Sequence, residues 1–303
     1  MSASVLVALA ILFLVAPALP GITIRTKSLL TGRRGAPMLQ LYYDLWKLLR
    51  KGIVYSSTTT WVFRAAPVVL VASLLVASLL LPLGGRPAPL RFAGDLVAFA
   101  GLLALGRFAL VLAALDTGSS FEVMGASREV TVATFAEPAL FLGFVALVLA
   151  TQEVSLSGMM GPSLDEAWQG AGAPLTLVGI SMFVLLLAEN SRVPIDDPAT
   201  HLELTMIHEV MILDHSGPDL ALILYGSALK FALFGALVVN IFAPRTEVGV
   251  AVSLLLLVLG LATISIAVGI VESVTARLRL PRVPQLLVGS AVLSILGIIL
   301  LLG

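Results

Sequence analysis

Residues 188–217 read AENSRVPIDDPATHLELTMIHEVMILDHSG. The stretch holds every histidine of the chain, His201, His208 and His215. It also holds Glu189, Asp196, Asp197, Glu203, Glu209 and Asp214, against one base, Arg192. Apolar runs close on it from both sides, ISMFVLLLA at 180–188 and LALILYGSALKFALFGALVVNIF at 220–242. A titratable segment between two such runs has the form of a loop joining two membrane spans.

Composition extends that reading to the whole chain. The 303 residues are 59% hydrophobic and 12% charged, with a mean hydropathy of +1.07. A soluble domain is about a quarter charged. Apolar segments recur at about 3–20, 64–83, 96–116, 132–151, 172–189, 219–243, 247–271 and 285–302, each close to the roughly 20 residues that cross a bilayer. The expected fold is an all-α polytopic membrane protein of about eight transmembrane helices, forming a single integral membrane domain over 1–303. Span 4 is expected to open at Glu137-Pro138, because proline suits a helix start. Residues 1–20 have no Lys or Arg ahead of their apolar run and a basic cluster after it. This reverses a secretory signal and predicts a retained first span.

Zero net charge gives no support to nucleic-acid binding. With no cysteine, the chain forms no disulfide and offers no thiolate to zinc or to an iron–sulfur cluster.

Lys and Arg set the orientation. Arg25, Lys27, Arg33, Arg34, Lys47, Arg50, Lys51 and Arg64 fall between spans 1 and 2. Arg128, Arg192, Arg277, Arg279 and Arg282 fall in later loops on the same side. The opposite loops hold only Arg86, Arg91 and Arg245. The basic side is expected in the cytoplasm, together with the 190–218 loop, and both termini outside. Within 37–51, PMLQLYYDLWKLLRK, apolar residues recur at helical spacing with Asp44, Lys47, Arg50 and Lys51 mainly between them. This predicts an amphipathic cytoplasmic helix between spans 1 and 2, lying on lipid or gripping a peripheral subunit.

Soluble-enzyme motifs are missing. His208-Glu209 lacks the second histidine of a zinc-protease helix, since position 212 is Ile212. Histidines seven residues apart on a helix stand about 10 Å apart, too far to share one metal ion, so no metal site is expected. Buried charge is the stronger signal. Arg107 lies midway along span 3 and Lys230 midway along span 6. A charge at the bilayer centre costs about 3 kcal/mol, so both are expected to face the bundle interior. Asp116, Glu137, Glu189 and Glu272 sit near cytoplasmic span ends, where a carboxylate serves as a snorkelling cap or as part of a path. Asp197-Pro198 has the form of a helix start, predicting a helix over about 198–214 with His201, Thr205 and His208 as a polar stripe. Such groups near apolar surfaces shift toward neutral pKa values and are able to relay protons. A purely structural polar network is the alternative.

Four stretches carry a family resemblance: TGRRGAPMLQLYYDLWKLLRK (31–51), SREVTVATFAEPAL (127–140), AENSRVPIDDPATHLELTMIHEVMILDHSGP (188–218) and ESVTARLRLPRVPQ (272–285). With them the whole chain resembles the respiratory complex I subunit 1 family. DDPATHLELTMIHE resembles its hydrogenase branch, the membrane subunits of formate hydrogenlyase and hydrogenase-4-like NiFe enzymes. It departs from the acidic pattern of the quinone-reducing complexes. The resemblance implies a membrane-anchoring, energy-coupling subunit in a bacterial or archaeal cytoplasmic membrane. It implies hydrogenase large and small subunits, an iron–sulfur subunit and antiporter-like membrane subunits as partners. The NiFe centre and iron–sulfur clusters would reside on those partners, with no cofactor on this chain. A proton- or sodium-coupling path is expected through Glu137, Glu189, Asp196, Asp197, Glu203, Glu209, His201 and His208, with Arg107 and Lys230 as buried counter-charges. Docking of the peripheral arm is expected at Arg33, Arg34, Asp44, Lys47, Arg128, Glu129 and Arg192. A quinone-site subunit and a stand-alone ion transporter are the alternatives.

Overall fold

The structure, a computed structural model, describes residues 3–196, 206–243 and 249–303. It is built from helices: α1 (Ala3–Val15), α2 (Ala18–Leu30), α3 (Gln40–Leu49), α4 (Trp61–Ser78), α5 (Asp95–Asp116), α6 (Ser120–Thr151), the single turn α7 (Leu156–Met159), α8 (Pro162–Glu189), α9 (Gly217–Phe242), α10 (Val250–Val274) and α11 (Val283–Leu302). Short 3-10 turns occur at Glu209–Ile212 and Leu280–Arg282. Among the described residues, seven helices are able to cross a membrane by length and composition, or eight if the bent pair α1–α2 counts as one span.

Four expectations needed correction. The first span is not one straight helix over 3–20, because α1 and α2 meet at a 46° bend. Pro17, at the break, has no N–H for a helical bond and its ring crowds the preceding turn. Span 4 does not open at Glu137-Pro138. Pro138 lies deep inside the 32-residue α6, so most of the expected 117–131 loop is helical. One proline removes one ladder bond, and neighbouring helices support the rest; here α5, α8 and α11 flank α6. The fifth span starts at Pro162, ahead of the expected position 172, and is kinked at Ala171 before Pro174.

The fourth correction concerns the helix expected over 198–214. Residues 197–205 lie outside the described residues. Over 206–214 the chain forms only a 3-10 turn. Asp196 Oδ2 accepts the backbone N–H groups of Ile207 (2.9 Å) and His208 (3.3 Å) just ahead of that turn. That draws the chain back onto the end of α8. The amphipathic helix between the first two spans forms as expected, with Leu41, Leu45 and Leu48 half-buried and Tyr43, Trp46 and Lys47 exposed.

α9 is the central helix. Of its apolar window 72% is buried, against 28% for α10 and 22% for α11. It packs against α3, α4, α8 and α10, with Phe231, Leu233, Phe234 and Leu237 at its core. Small residues allow close crossings: a Cβ at Gly226 would press on Leu70 of α4, and one at Gly260 on Val239. α11 is held to α8 by a buried hydroxyl cluster. Ser181 Oγ lies 2.8 Å from Ser290 Oγ and accepts from Ser294 Oγ at 2.8 Å.

Candidate functional site

Four helices bring four charged side chains together. Glu189, at the last turn of α8, has a side chain only 3% exposed. Its Oε2 lies 2.9 Å from Lys230 Nζ on α9. Its Oε1 lies 3.3 Å from Arg107 Nη2 on α5. The same Nη2 is 3.3 Å from Glu137 Oε1 on α6. Each charge is costly in an apolar bundle, and each is offset by an opposite charge at contact distance. Glu129 lies two turns before Glu137 on α6 and is also buried, within the field of Lys230 and Arg107.

A second group adjoins the first. Asp196 Oδ1 is 2.8 Å from Arg277 Nη2, joining the 190s turn to the segment after α10. Glu272, at the end of α10, lies 3.5 Å from Arg192 Nη1 and 3.7 Å from Lys27 Nζ on α2. The Arg192 guanidinium also covers the Phe231 ring at 5.2 Å. His208 lies between the two groups. Its backbone N–H donates to Asp196, and its Nε2 is 3.2 Å from Ser227 Oγ, one helical turn from Lys230. Burial, aided by the Lys230 charge, lowers the His208 pKa to about 4. The imidazole is therefore neutral at pH 7, with one nitrogen to donate and one to accept. Lys230, Glu189, Arg107 and Glu137 are in direct contact, and the Asp196–His208 turn stands next to them through Ser227 on α9.

Of the expected path residues, Glu137, Glu189, Asp196, His208, Arg107 and Lys230 come together. Glu209 opens the 3-10 turn beside them, half-buried. Asp197, His201 and Glu203 lie outside the described residues. The expected docking residues divide. Arg33, Arg34 and Lys47 are exposed, and Asp44 accepts from Gln40 Nε2 at 2.9 Å. Glu129 and Arg192 are turned inward. Arg128 Nη1 donates to the Met206 carbonyl at 2.9 Å and so holds the chain just before His208.

Several contributors were not named as site residues from sequence. Glu272 and Arg277 flank one span end, and their pairing with Arg192 and Asp196 has no local signature. Glu122 is 1% exposed and accepts the Asp214 N–H at 3.0 Å, tying the start of α6 to the histidine segment. It was hidden because residues 117–131 were read as a loop. His215 is 4% exposed and stacks on Phe63 at 3.9 Å between ring centroids. Burial lowers its pKa to about 4. Among the described residues no three His, Asp or Glu side chains gather as a metal would require.

Comparison with known proteins places this architecture. The family model described as NADH dehydrogenase matches residues 3–302. Hydrogenase-4 component C of Escherichia coli (strain K12) is 33% identical over 281 residues, 89% of this chain and 86% of that protein. Formate hydrogenlyase subunit 4 of the same strain is 31% identical over 283 residues, 91% of each. A subunit of the NADH-quinone oxidoreductase of Burkholderia vietnamiensis is 23% identical over 216 residues, 68% of this chain and 60% of that one. A chain in the structure of the membrane-bound sulfane sulfur reductase, an archaeal respiratory membrane complex, has the same fold, with a TM-score of 0.80 at 18% identity over 98% of both chains. The chain therefore belongs to the NADH dehydrogenase family of complex I subunit 1, and its similarity is greater to the hydrogenase members than to the quinone-reducing one.

Proposed function

We propose that this chain is the membrane-anchoring and energy-coupling subunit of a complex I-like membrane-bound NiFe hydrogenase. One observation carries the reading. Four ionisable groups, Lys230, Glu189, Arg107 and Glu137, are in direct contact inside the bundle, and the Asp196–His208 turn sits beside them through Ser227, one helical turn from Lys230. Redox energy released in a cytoplasmic arm would rearrange the turn, and the row would carry the change in charge into the membrane. The NiFe centre and iron–sulfur clusters belong to partner subunits in this reading. The chain's own contribution is electrostatic: protonating or displacing one member changes the charge seen by its neighbours.

The lateral end of the row suggests where the next subunit sits. The Glu137 side chain is 45% exposed, with the exposed Phe141 one turn on along the same face of α6. A half-exposed carboxylate facing hydrocarbon is costly. An antiporter-like membrane subunit covering this face, with a polar or cationic group of its own, removes that cost. The exposed Arg33 and Arg34 are the proposed grip on the hydrogenase arm.

Affinity purification of the tagged chain from its native membranes tests the reading. Hydrogenase large and small subunits, an iron–sulfur subunit and antiporter-like subunits are expected to co-purify by mass spectrometry. Arg33→Glu with Arg34→Glu is expected to release the peripheral subunits while the membrane subunits stay bound. A chain recovered alone, and active in ion transport by itself, would favour a stand-alone transporter. A second expectation follows from the basic loops. Single cysteines at Ser56 and Ser191, introduced into this cysteine-free chain, are expected to resist an impermeant thiol reagent outside intact cells. A cysteine at Arg91 is expected to react. The reverse pattern would invert the orientation.

A further inference from the structure

The break in the first span leaves carbonyls without helical partners, those of Phe13 and Leu14 among them. Pro17 has no N–H to offer Phe13, and the 46° bend takes Leu14 off the ladder. An unmet carbonyl in an apolar bundle costs free energy. Tyrosine hydroxyls supply both bonds. Tyr225 of α9 donates to the Phe13 carbonyl at 3.3 Å, and Tyr42 of α3 donates to the Leu14 carbonyl.

α3 therefore touches the end of α1. The chain leading into α3 also touches α2: a Cβ at Gly21 would collide with the Met38 carbonyl, so that segment lies directly on the α2 backbone. One short amphipathic helix and its lead are thus fastened to both arms of the bend. No residue of α3 is fully buried, so these fastenings, with its contact along α9, decide where it lies.

We infer that α3 is a brace across a hinge in the first span, attached to α1 through Tyr42 and to α2 at Gly21, while Tyr225 of α9 holds the Phe13 carbonyl beside it. The hinge is Pro17. The bend persists because the tyrosines satisfy two of the carbonyls it exposes, and an α3 pulled away from the bundle releases the bend. The inference stands on hinge geometry and does not depend on the proposed redox role.

The test is a distance across the hinge in the purified native complex. Spin labels are attached at Leu6 and Leu29, both exposed, through genetically encoded reactive residues that confine them to this chain. From a rise of about 1.5 Å per residue and the 46° bend, the two backbone sites should lie about 32 Å apart when bent and about 34–35 Å apart when straight. Tyr42→Phe with Tyr225→Phe removes two hydroxyls and little else. The double variant is expected to lengthen the mean distance by about 2–3 Å and to broaden the distribution. If the double variant does not assemble, Tyr42→Phe alone, on the half-exposed helix, is expected to move the distance in the same direction. Assembled variants keeping the wild-type mean and width would overturn the brace.

Discussion

Replacing Glu189 with alanine is expected to destabilise the bundle by about 3–5 kcal/mol, the cost of leaving a buried charge without its partner. Glu189 is the common partner of Lys230 and Arg107, and its own side chain is 3% exposed. Its removal strands the Lys230 ammonium, and Arg107 keeps the half-exposed Glu137. Thermal unfolding of the detergent-solubilised chain, followed by tryptophan fluorescence, measures the loss. Adding Lys230→Met should recover most of it, because the second substitution removes the charge that the first stranded. A Glu189→Ala protein with the wild-type melting temperature would show that these contacts are not a stabilising network.

Acid should act through the histidines. Both His208 and His215 have pKa values lowered to about 4, against about 6.5 unfolded. Between those values the unfolded chain binds protons that the folded chain refuses, so stability rises with pH. It is complete above about pH 6.5 and is lost as pH falls toward 4, by about 3 kcal/mol for each histidine. His215→Phe isolates one share. A phenyl ring keeps the stack on Phe63 and cannot titrate. The stability difference between variant and wild type should shift by about 3 kcal/mol in the variant's favour between pH 7 and pH 4. Parallel pH profiles would remove His215 from the account.

The sequence carried some of this plainly. Arg107 and Lys230 stand inside long apolar runs, and a membrane-deep charge has few uses, so both were legible as interior groups. Glu189 was legible as a carboxylate at a span end. That positions 107, 137, 189 and 230 meet was not legible, because convergence of four helices is a tertiary fact with no local pattern. Proline misled in opposite ways. Pro138 looks like a helix start but sits inside α6, supported by α5, α8 and α11. Pro17 was read through as part of one span but breaks it. In both cases neighbouring helices, not the local sequence, decide whether the freed carbonyl is tolerated. The 206–214 segment has the apolar content of a helix, yet it forms only a 3-10 turn, with Asp196 accepting the N–H groups of Ile207 and His208 at its start.

The central claim is that the row ending at Glu137 couples redox chemistry to ion movement. Glu137→Gln keeps the shape and removes the charge facing Arg107. In vesicles holding the whole complex, hydrogenase activity with an artificial dye reports the redox half alone. Gradient formation in the same vesicles reports coupling. The account predicts dye-linked activity at the wild-type level and a gradient reduced several-fold. An assembled Glu137→Gln complex that builds the wild-type gradient at the wild-type rate would contradict it.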